Sequence, residues 1–374
     1  MRYLSPQRIA VSVAAFLSLG SAWAVATEPD EPEARLTGRL EAVLEANPSY
    51  RGLSIAVRGQ DPRHQFAAAV GHAAPKGQAL TAETPFRTAS VTKIYVAATV
   101  LRLWEQDLVD LSAPISGLID PAYDELLTGD GYDTSAITVR HLLMHTAGLP
   151  DHADAAYVGM IMEAPTRQWT RADQVTLAVE NHDPLGEPGE QYSYSDTGYV
   201  LLGDIIERIT GKPLATVVRQ ELRFEEIGLS STWWEQVEEV PKDIPDRASQ
   251  FLGTLDTTGW NGSADLYGGG GLISTTTDLS TFMLALFSGS VFDKTDTLAL
   301  MTSASGHPFP DRYRLGLFPG ELDGEEVYSH SGFWGVHTLY APDSGIAVSG
   351  VVLNQEGYRD MVEVLQETAR ELME

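Results

Sequence analysis

Ser90 and Lys93 stand three residues apart in the stretch TASVTKIYVAATVLRLW, residues 88–104. A serine hydroxyl is inert at its own pKa and becomes a nucleophile when a basic group lies within hydrogen-bond range. On a helix, residues three apart share a face, so the Lys93 amine can reach the Ser90 hydroxyl. A helix N-terminus at Ser90 would add partial positive charge that favours a developing oxyanion. The spacing alone fits a plainer reading equally well, with Ser90 as an N-cap and Lys93 as a solvated charge. Of the lysines, Lys76, Lys93, Lys212, Lys242 and Lys294, only Lys93 has a serine three positions before it.

The elements that must hold this pair can be read from periodicity. Ile94, Ala97, Ala98, Leu101 and Trp104 recur at three- and four-residue spacing, which predicts a buried amphipathic helix with Ser90 in its first turn. Upstream, residues 31–46 read as a helix stopped at Asn47-Pro48, followed by strands over 53–57 and 65–70 around a Gly59–Pro62 turn. Helices are expected at 139–144, 171–180, 199–209, 214–222 and 278–287. Strands return at 326–330, 336–340 and 346–353, and a last helix covers 358–372. Strands near both ends with helices between predict an α/β (α+β) fold, with one sheet assembled from residues 27–85 and 305–374. Residues 86–304 would form a mostly helical insertion within a single domain, 27–374.

The chain has 374 residues, of which 43% are hydrophobic, an ordinary globular balance. Arg2 and Arg8 precede the apolar run Ile9–Leu19, and Ala22, Ala24 and Ala26 follow, the three-part pattern of a secretory leader over about 1–24 or 1–26. The alternative is an uncleaved membrane anchor, for which the apolar run is short. An exported, periplasmic or secreted protein is expected. With no cysteine, it has neither a disulfide framework nor a lipid-attachment thiol. Lysine and arginine total 25 against 52 acidic residues, a net charge of -27, which excludes the basic footprint that nucleic acid binding needs. The acidity serves solubility.

Two further stretches bear on Ser90. Residues 188–211 read PGEQYSYSDTGYVLLGDIIERITG and place Tyr194-Ser195-Asp196 just before an apolar helix. Residues 329–332 read SHSG and place His330-Ser331-Gly332 at the end of a strand. Together with TASVTK these resemble, in order, the Ser-x-x-Lys, Tyr-x-Asn and Lys-Thr-Gly or His-Thr-Gly motifs of the serine beta-lactamase and penicillin-binding protein superfamily. The branch it resembles most contains class C beta-lactamases, D-alanyl-D-alanine carboxypeptidases and related esterases and D-amino-acid peptidases. HLLMHTAGLP (141–150) and GGGGLISTTTDLSTF (268–282) fall in the expected order, so the resemblance spans nearly the whole chain after the leader.

The resemblance implies an antiparallel sheet flanked by helices, and an acyl-enzyme mechanism with Ser90 as nucleophile. It makes Lys93 or Tyr194 the acylation base, with Tyr194 needing a cation such as Lys93 beside it to titrate near neutrality. It places the oxyanion hole on the backbone amides of Ser90 and Phe333, and substrate contacts on Asp196, His330, Ser331 and Gly332. Gly332 fits a strand along which substrate lies close to the backbone. Two departures qualify this. Asp196 replaces an asparagine, so it accepts hydrogen bonds only and should pair with Lys93 and hold it protonated. His330 replaces the lysine of beta-lactamases, which weakens the grip on a substrate carboxylate.

Other signals are weaker. His141 and His145, with Asp151 and His152 behind them, suggest a metal site, but Leu142 stands where a zinc protease has glutamate, so no metal is expected. Gly268–Gly271 lacks the Gly-Lys-Ser/Thr of a phosphate loop and suits close backbone approach instead. No Gly-x-Ser-x-Gly elbow is present. The expectation is a cofactor-free, metal-independent serine hydrolase acting on small-molecule or peptide acyl donors. D-alanyl cell-wall peptides come first, small esters second and beta-lactams a slow third. A non-catalytic cell-wall binding module that retains the fold is the rival from another class.

Overall fold

In the run from Leu53 to Val57 large apolar side chains alternate with Ser54 and Ala56, and this period of two gives the strand two different faces. The computed structural model describes residues 31–74 and 77–373; the leader expected over 1–26 lies outside them. The strands are β1 (Gly52–Gly59), β2 (Gln65–Gly71), β3 (Phe86–Arg87), β4 (Trp233–Trp234), β5 (Phe251–Leu252), β6 (Leu255–Asp256), β7 (Leu272–Ser274), β8 (Phe318–Leu322), β9 (Glu325–Gly332), β10 (Val336–Ala341) and β11 (Ile346–Val352). The helices are α1 (Glu31–Ala46), α2 (Thr92–Glu105), α3 (Pro121–Gly129), α4 (Val139–Leu143), α5 (Ala155–Glu163), α6 (Arg171–Asn181), α7 (Asp196–Thr210), α8 (Leu214–Glu221), α9 (Phe224–Ile227), α10 (Thr276–Phe287), α11 (Thr295–Thr302) and α12 (Tyr358–Met373).

Six strands form an antiparallel sheet in the order β2-β1-β11-β10-β9-β8, so the two halves of the chain meet where β1 pairs with β11, Leu53 opposite Val352. This is the sheet from both chain ends that the sequence predicts. Leu53, Ile55 and Val57 pack into one core with Leu36 and Leu40 of α1 and Met361 and Leu365 of α12. The opposite face carries small residues, and α10 lies close against it: Ser54 Oγ is 3.0 Å from Thr276 Oγ1, and Ser280 Oγ donates to the Ala56 carbonyl at 2.8 Å. Among the described residues no helix is long and apolar enough to cross a membrane.

Four helices went unread, α3, α5, α9 and α11, although α3 and α5 carry capping signals: Asp120 accepts from the Ala122 amide before Pro121, and Asp154 accepts from the Tyr157 amide. Strand β8 was hidden by Pro319 and Gly320, which an edge strand tolerates. A small sheet ordered β3-β7-β4 was also missed, because two-residue strands leave no periodicity to read. It matters most for the site, since β3 runs directly into Ser90.

Candidate active site

Ser90 is not in the first turn of α2 but one step before it, in the single 3-10 turn Ala89–Val91. Ala89 adopts φ 45°, a left-handed conformation that a β-carbon makes unfavourable by about 1–2 kcal/mol. The surrounding threonines hold it there. The Thr88 amide and hydroxyl both donate to the Leu272 carbonyl of β7, at 3.0 and 2.9 Å, and Thr92 Oγ1 accepts the Leu272 amide at 3.2 Å. The nucleophile turn is thereby laced to the small sheet, and both threonines are fully buried.

Lys93 has no exposed surface. Its amine donates to Ser90 Oγ at 2.9 Å and to the Gly269 carbonyl at 2.6 Å, and it forms an ion pair with Asp196. Burial pulls the Lys93 pKa down, but Asp196 and the Tyr194 oxygen together more than offset this, so the pKa lies above that of free lysine and the amine is an ammonium. Asp196 opens the fifteen-residue helix α7, where the helix dipole favours a carboxylate, and its own amide donates to Asp151 at 3.1 Å. Ser195 caps that helix, accepting from the Gly198 amide and donating to the Pro150 carbonyl at 2.7 Å.

Tyr194 lies within hydrogen-bonding reach of Ser90 and Lys93. Burial raises its pKa, and Lys93 lowers it by less, so the phenol keeps its proton. A nearby cation does not bring Tyr194 to neutrality here. The ring lies against His145, centroids 4.2 Å apart and planes tilted by 35°.

The third motif borders the other side of Ser90. His330 is buried, and its Nδ1 donates to the Ser331 carbonyl at 2.9 Å, which leaves Nε2 to accept from the Tyr313 hydroxyl at 2.9 Å. Burial first, then Lys93, push its pKa down to about 3, so it is a neutral imidazole with both nitrogens committed. Ser331 Oγ is bound by His337 Nδ1 at 3.0 Å and by the Tyr358 hydroxyl. Gly332 is required by a contact different from the one expected: a β-carbon there would lie 2.1 Å from the Thr88 carbonyl oxygen, so the glycine docks β9 against the nucleophile turn. We expect Gly332→Ala to lower kcat/KM by about a hundredfold, since an ångström of misplacement has that effect. Steady-state kinetics with a circular-dichroism melt checks this; unchanged values in both would remove the docking role.

Among the described hydrogen bonds, neither the Ser90 nor the Phe333 amide donates, which leaves both available to an oxyanion. Two cavities flank Ser90. One, of about 240 Å³, is the more enclosed and is lined by Asp151, Tyr157, Ile161, Asp196, Trp260 and Asp265 among others. The second, of about 420 Å³, is more open and is lined by Tyr194, Phe318, His330, Ser331, Phe333 and Tyr358 among others.

The family description Beta-lactamase matches residues 38–371. The chain belongs to the beta-lactamase family. It is a serine hydrolase of that family, with a mixed α/β fold. It is 25% identical over 309 residues to a protein of Escherichia coli O157:H7 provisionally named a D-alanyl-D-alanine carboxypeptidase, covering 72% of this chain and 68% of that one. It is also 25% identical over 304 residues to the N-acetylmuramyl-L-alanine amidase of Bacillus subtilis strain 168, covering 71% and 67%. Among solved structures, a D-stereospecific amidohydrolase from Streptomyces superposes with a TM-score of 0.74 at 25% identity over 89% of this chain and 98% of that one. The D-amino acid amidase of Ochrobactrum anthropi SV3 bound to L-phenylalanine gives 0.72 at 26% identity over 90% and 99%.

Within this family member, Ser90, Lys93, Tyr194, Asp196, His330, Ser331, Gly332 and Phe333 all come together around the two cavities. Sequence reading missed Ala89, Thr88 and Thr92, which shape the turn, and Asp265, which no motif marks. The glycine run is a set of close approaches, as expected: a β-carbon on Gly268 would lie 2.3 Å from the Tyr199 carbonyl. The histidines have separate tasks. His141 Nδ1 closes the cap of α4 by accepting the Thr138 amide, His145 Nδ1 accepts the Ser195 amide at 3.1 Å, and His152 Nδ1 contacts Thr197 Oγ1 at 3.0 Å. Among the described residues, no three His, Asp or Glu side chains are grouped to hold a metal.

Proposed function

We propose that Ser90 is the acylating nucleophile of a hydrolase that cleaves amide or ester bonds of D-aminoacyl substrates, as a D-amino-acid peptidase or amidase or a D-alanyl-D-alanine carboxypeptidase. The observation that carries this is the hydroxyl of Ser90 2.9 Å from a lysine amine that is itself buried and paired to Asp196. The names of the relatives supply the substrate class. Export behind a leader at 1–26 would put the enzyme where cell-wall peptides are.

At rest Tyr194 is a phenol, Lys93 an ammonium and Asp196 a carboxylate, so the resting state holds no free lysine or tyrosine base. As Ser90 Oγ attacks the substrate carbonyl, its proton passes to Lys93 while Lys93 passes one to Asp196. The tetrahedral oxyanion is held by the Ser90 and Phe333 amides, where one donor contributes two to three orders of magnitude, roughly. The carbon–nitrogen or carbon–oxygen bond then breaks. The leaving group takes the proton back from Asp196 through Lys93 and Tyr194 and departs neutral, leaving an ester on Ser90. Water attacks that ester, gives one proton to the same relay, and the acid product leaves as Ser90 regains its hydrogen.

A fluorophosphonate probe tests the nucleophile. We expect one covalent adduct, mapped by peptide mass spectrometry to Ser90 and unaffected by EDTA. A folded protein with no adduct, or an adduct elsewhere, would leave the binding-module reading in its place.

A further inference from the structure

We infer that the cleft selects its substrates by charge: the enclosed cavity takes an acyl group bearing a protonated primary amine beside an apolar side chain, held by Asp265 and Asp151, while the open cavity takes a leaving group without a carboxylate. This rests on the acyl-enzyme reading and narrows it to aminoacyl amides and esters with a free amine. The acyl part must stay in place while water attacks and the leaving group must escape, so the enclosed cavity suits the first and the open one the second.

The enclosed cavity has an apolar wall of Tyr157, Ile161, Trp260 and Trp334, and a polar side made of three carboxylates, Asp151, Asp196 and Asp265. Lys93 is ion-paired to Asp196, and its charge reaches Asp151 and Asp265 only from beyond contact distance. Arg87 also borders the cavity, but its guanidinium is spent on Glu235, at 2.8 and 3.0 Å, and on the carbonyls of Thr257 and Trp260, at 3.1 and 2.6 Å. Asp151 and Asp265 therefore remain without a direct ion-pair partner among the described residues. Asp151 at least accepts the amides of Ala153 and Asp196. Asp265 has no hydrogen-bond or ion-pair partner in the described structure, and it lies where a β-carbon on Gly270 would come within 2.2 Å of its Oδ1. The glycine thus makes room for a carboxyl group that no described hydrogen bond or ion pair uses.

Burial and the Asp196 charge push both Asp151 and Asp265 up to about 7, so near neutrality each is partly protonated and an incoming ammonium favours its carboxylate form. Across Ser90 the charges are absent. His330 is neutral with both nitrogens engaged, and His337, behind Ser331, is kept neutral by burial with a pKa of about 4. No lysine or arginine lines that cavity, so a leaving-group carboxylate would find hydroxyl donors but no counter-charge.

The test compares kcat/KM for phenylalanine amide, N-acetylphenylalanine amide and phenylalanylalanine, in D and L forms, on wild type and on Asp265→Asn. We expect the free amine to be preferred over its N-acetyl analogue by about a hundredfold or more, because an acylated amine leaves the carboxylates unpaired. The amide should outrun the dipeptide, and Asp265→Asn should shrink the amine preference by about tenfold. Protection of wild-type Ser90 from a fluorophosphonate gives a readout free of any variant and of turnover. Phenethylamine should slow labelling and 3-phenylpropionate should not. Equal or inverted preference for the N-acetyl amide, faster cleavage of the dipeptide, or protection by the carboxylate alone would overturn the inference. Absence of any Ser90 adduct would instead overturn the hydrolase reading beneath it.

Discussion

Ser90→Ala is expected to lower kcat/KM toward every ester and amide substrate by about 10⁴- to 10⁶-fold and to abolish fluorophosphonate labelling. The large size follows from how little else the site contains. Without the Ser90 oxygen no covalent intermediate forms, and the surviving oxyanion amides can act only on a water that nothing positions. Folding should be intact. Lys93 would lose one acceptor but keep Gly269 and Asp196, and the turn would remain tied to β7 through Thr88 and Thr92. A circular-dichroism melt beside a progress-curve assay separates the two effects. Residual turnover within about tenfold of wild type, on a folded variant, would mean that another group carries the reaction.

Asp196→Asn tests the proton relay, and its effect depends on pH. In the wild type the Asp196 charge holds the Lys93 pKa above its ordinary value, so Lys93 is an ammonium at every working pH and its proton traffic ends on Asp196. Remove that charge and burial, which lowers the pKa, is left as the main influence. Lys93 then becomes a titrating base, active only above its lowered pKa. Below that value the rate should fall about tenfold per pH unit, and it should recover as pH rises and the amine loses its proton. The wild type should lack this limb. A pH profile of kcat/KM for one neutral ester, taken on both proteins, decides it. Superimposable profiles would show that Asp196 does not govern the charge of Lys93.

How much of this was legible in the sequence depends on the length of the signal. Long amphipathic segments such as α7 and α12, and alternating strands such as β1, are visible because many residues repeat one pattern. The three motifs were visible because each joins rare residue types at fixed spacing. Ala89 was not, because nothing in an alanine says that its neighbours force a positive φ. Asp265 was not, because its meaning comes from Gly270 and from Asp196, residues brought beside it only by the fold. The role of Gly332 was half legible: the need for a close approach could be read, but not that Thr88 is what approaches. For Tyr194 the proximity of Lys93 could be inferred, whereas the stronger opposing effect of burial could not.

The pairing of β1 with β11, Leu53 opposite Val352, also sets the order in which this enzyme can become active. The strand that presses Gly332 against the Ser90 turn is held in the sheet through β10 and β11, all of which emerge from the ribosome after the nucleophile, its lysine and its aspartate. Contacts this distant along the chain form late, because a long loop must close before any of them is rewarded. During synthesis the chain therefore carries a serine that has no docked substrate strand beside it. The site of Ser90 is therefore complete only once the sheet that holds β9 is complete.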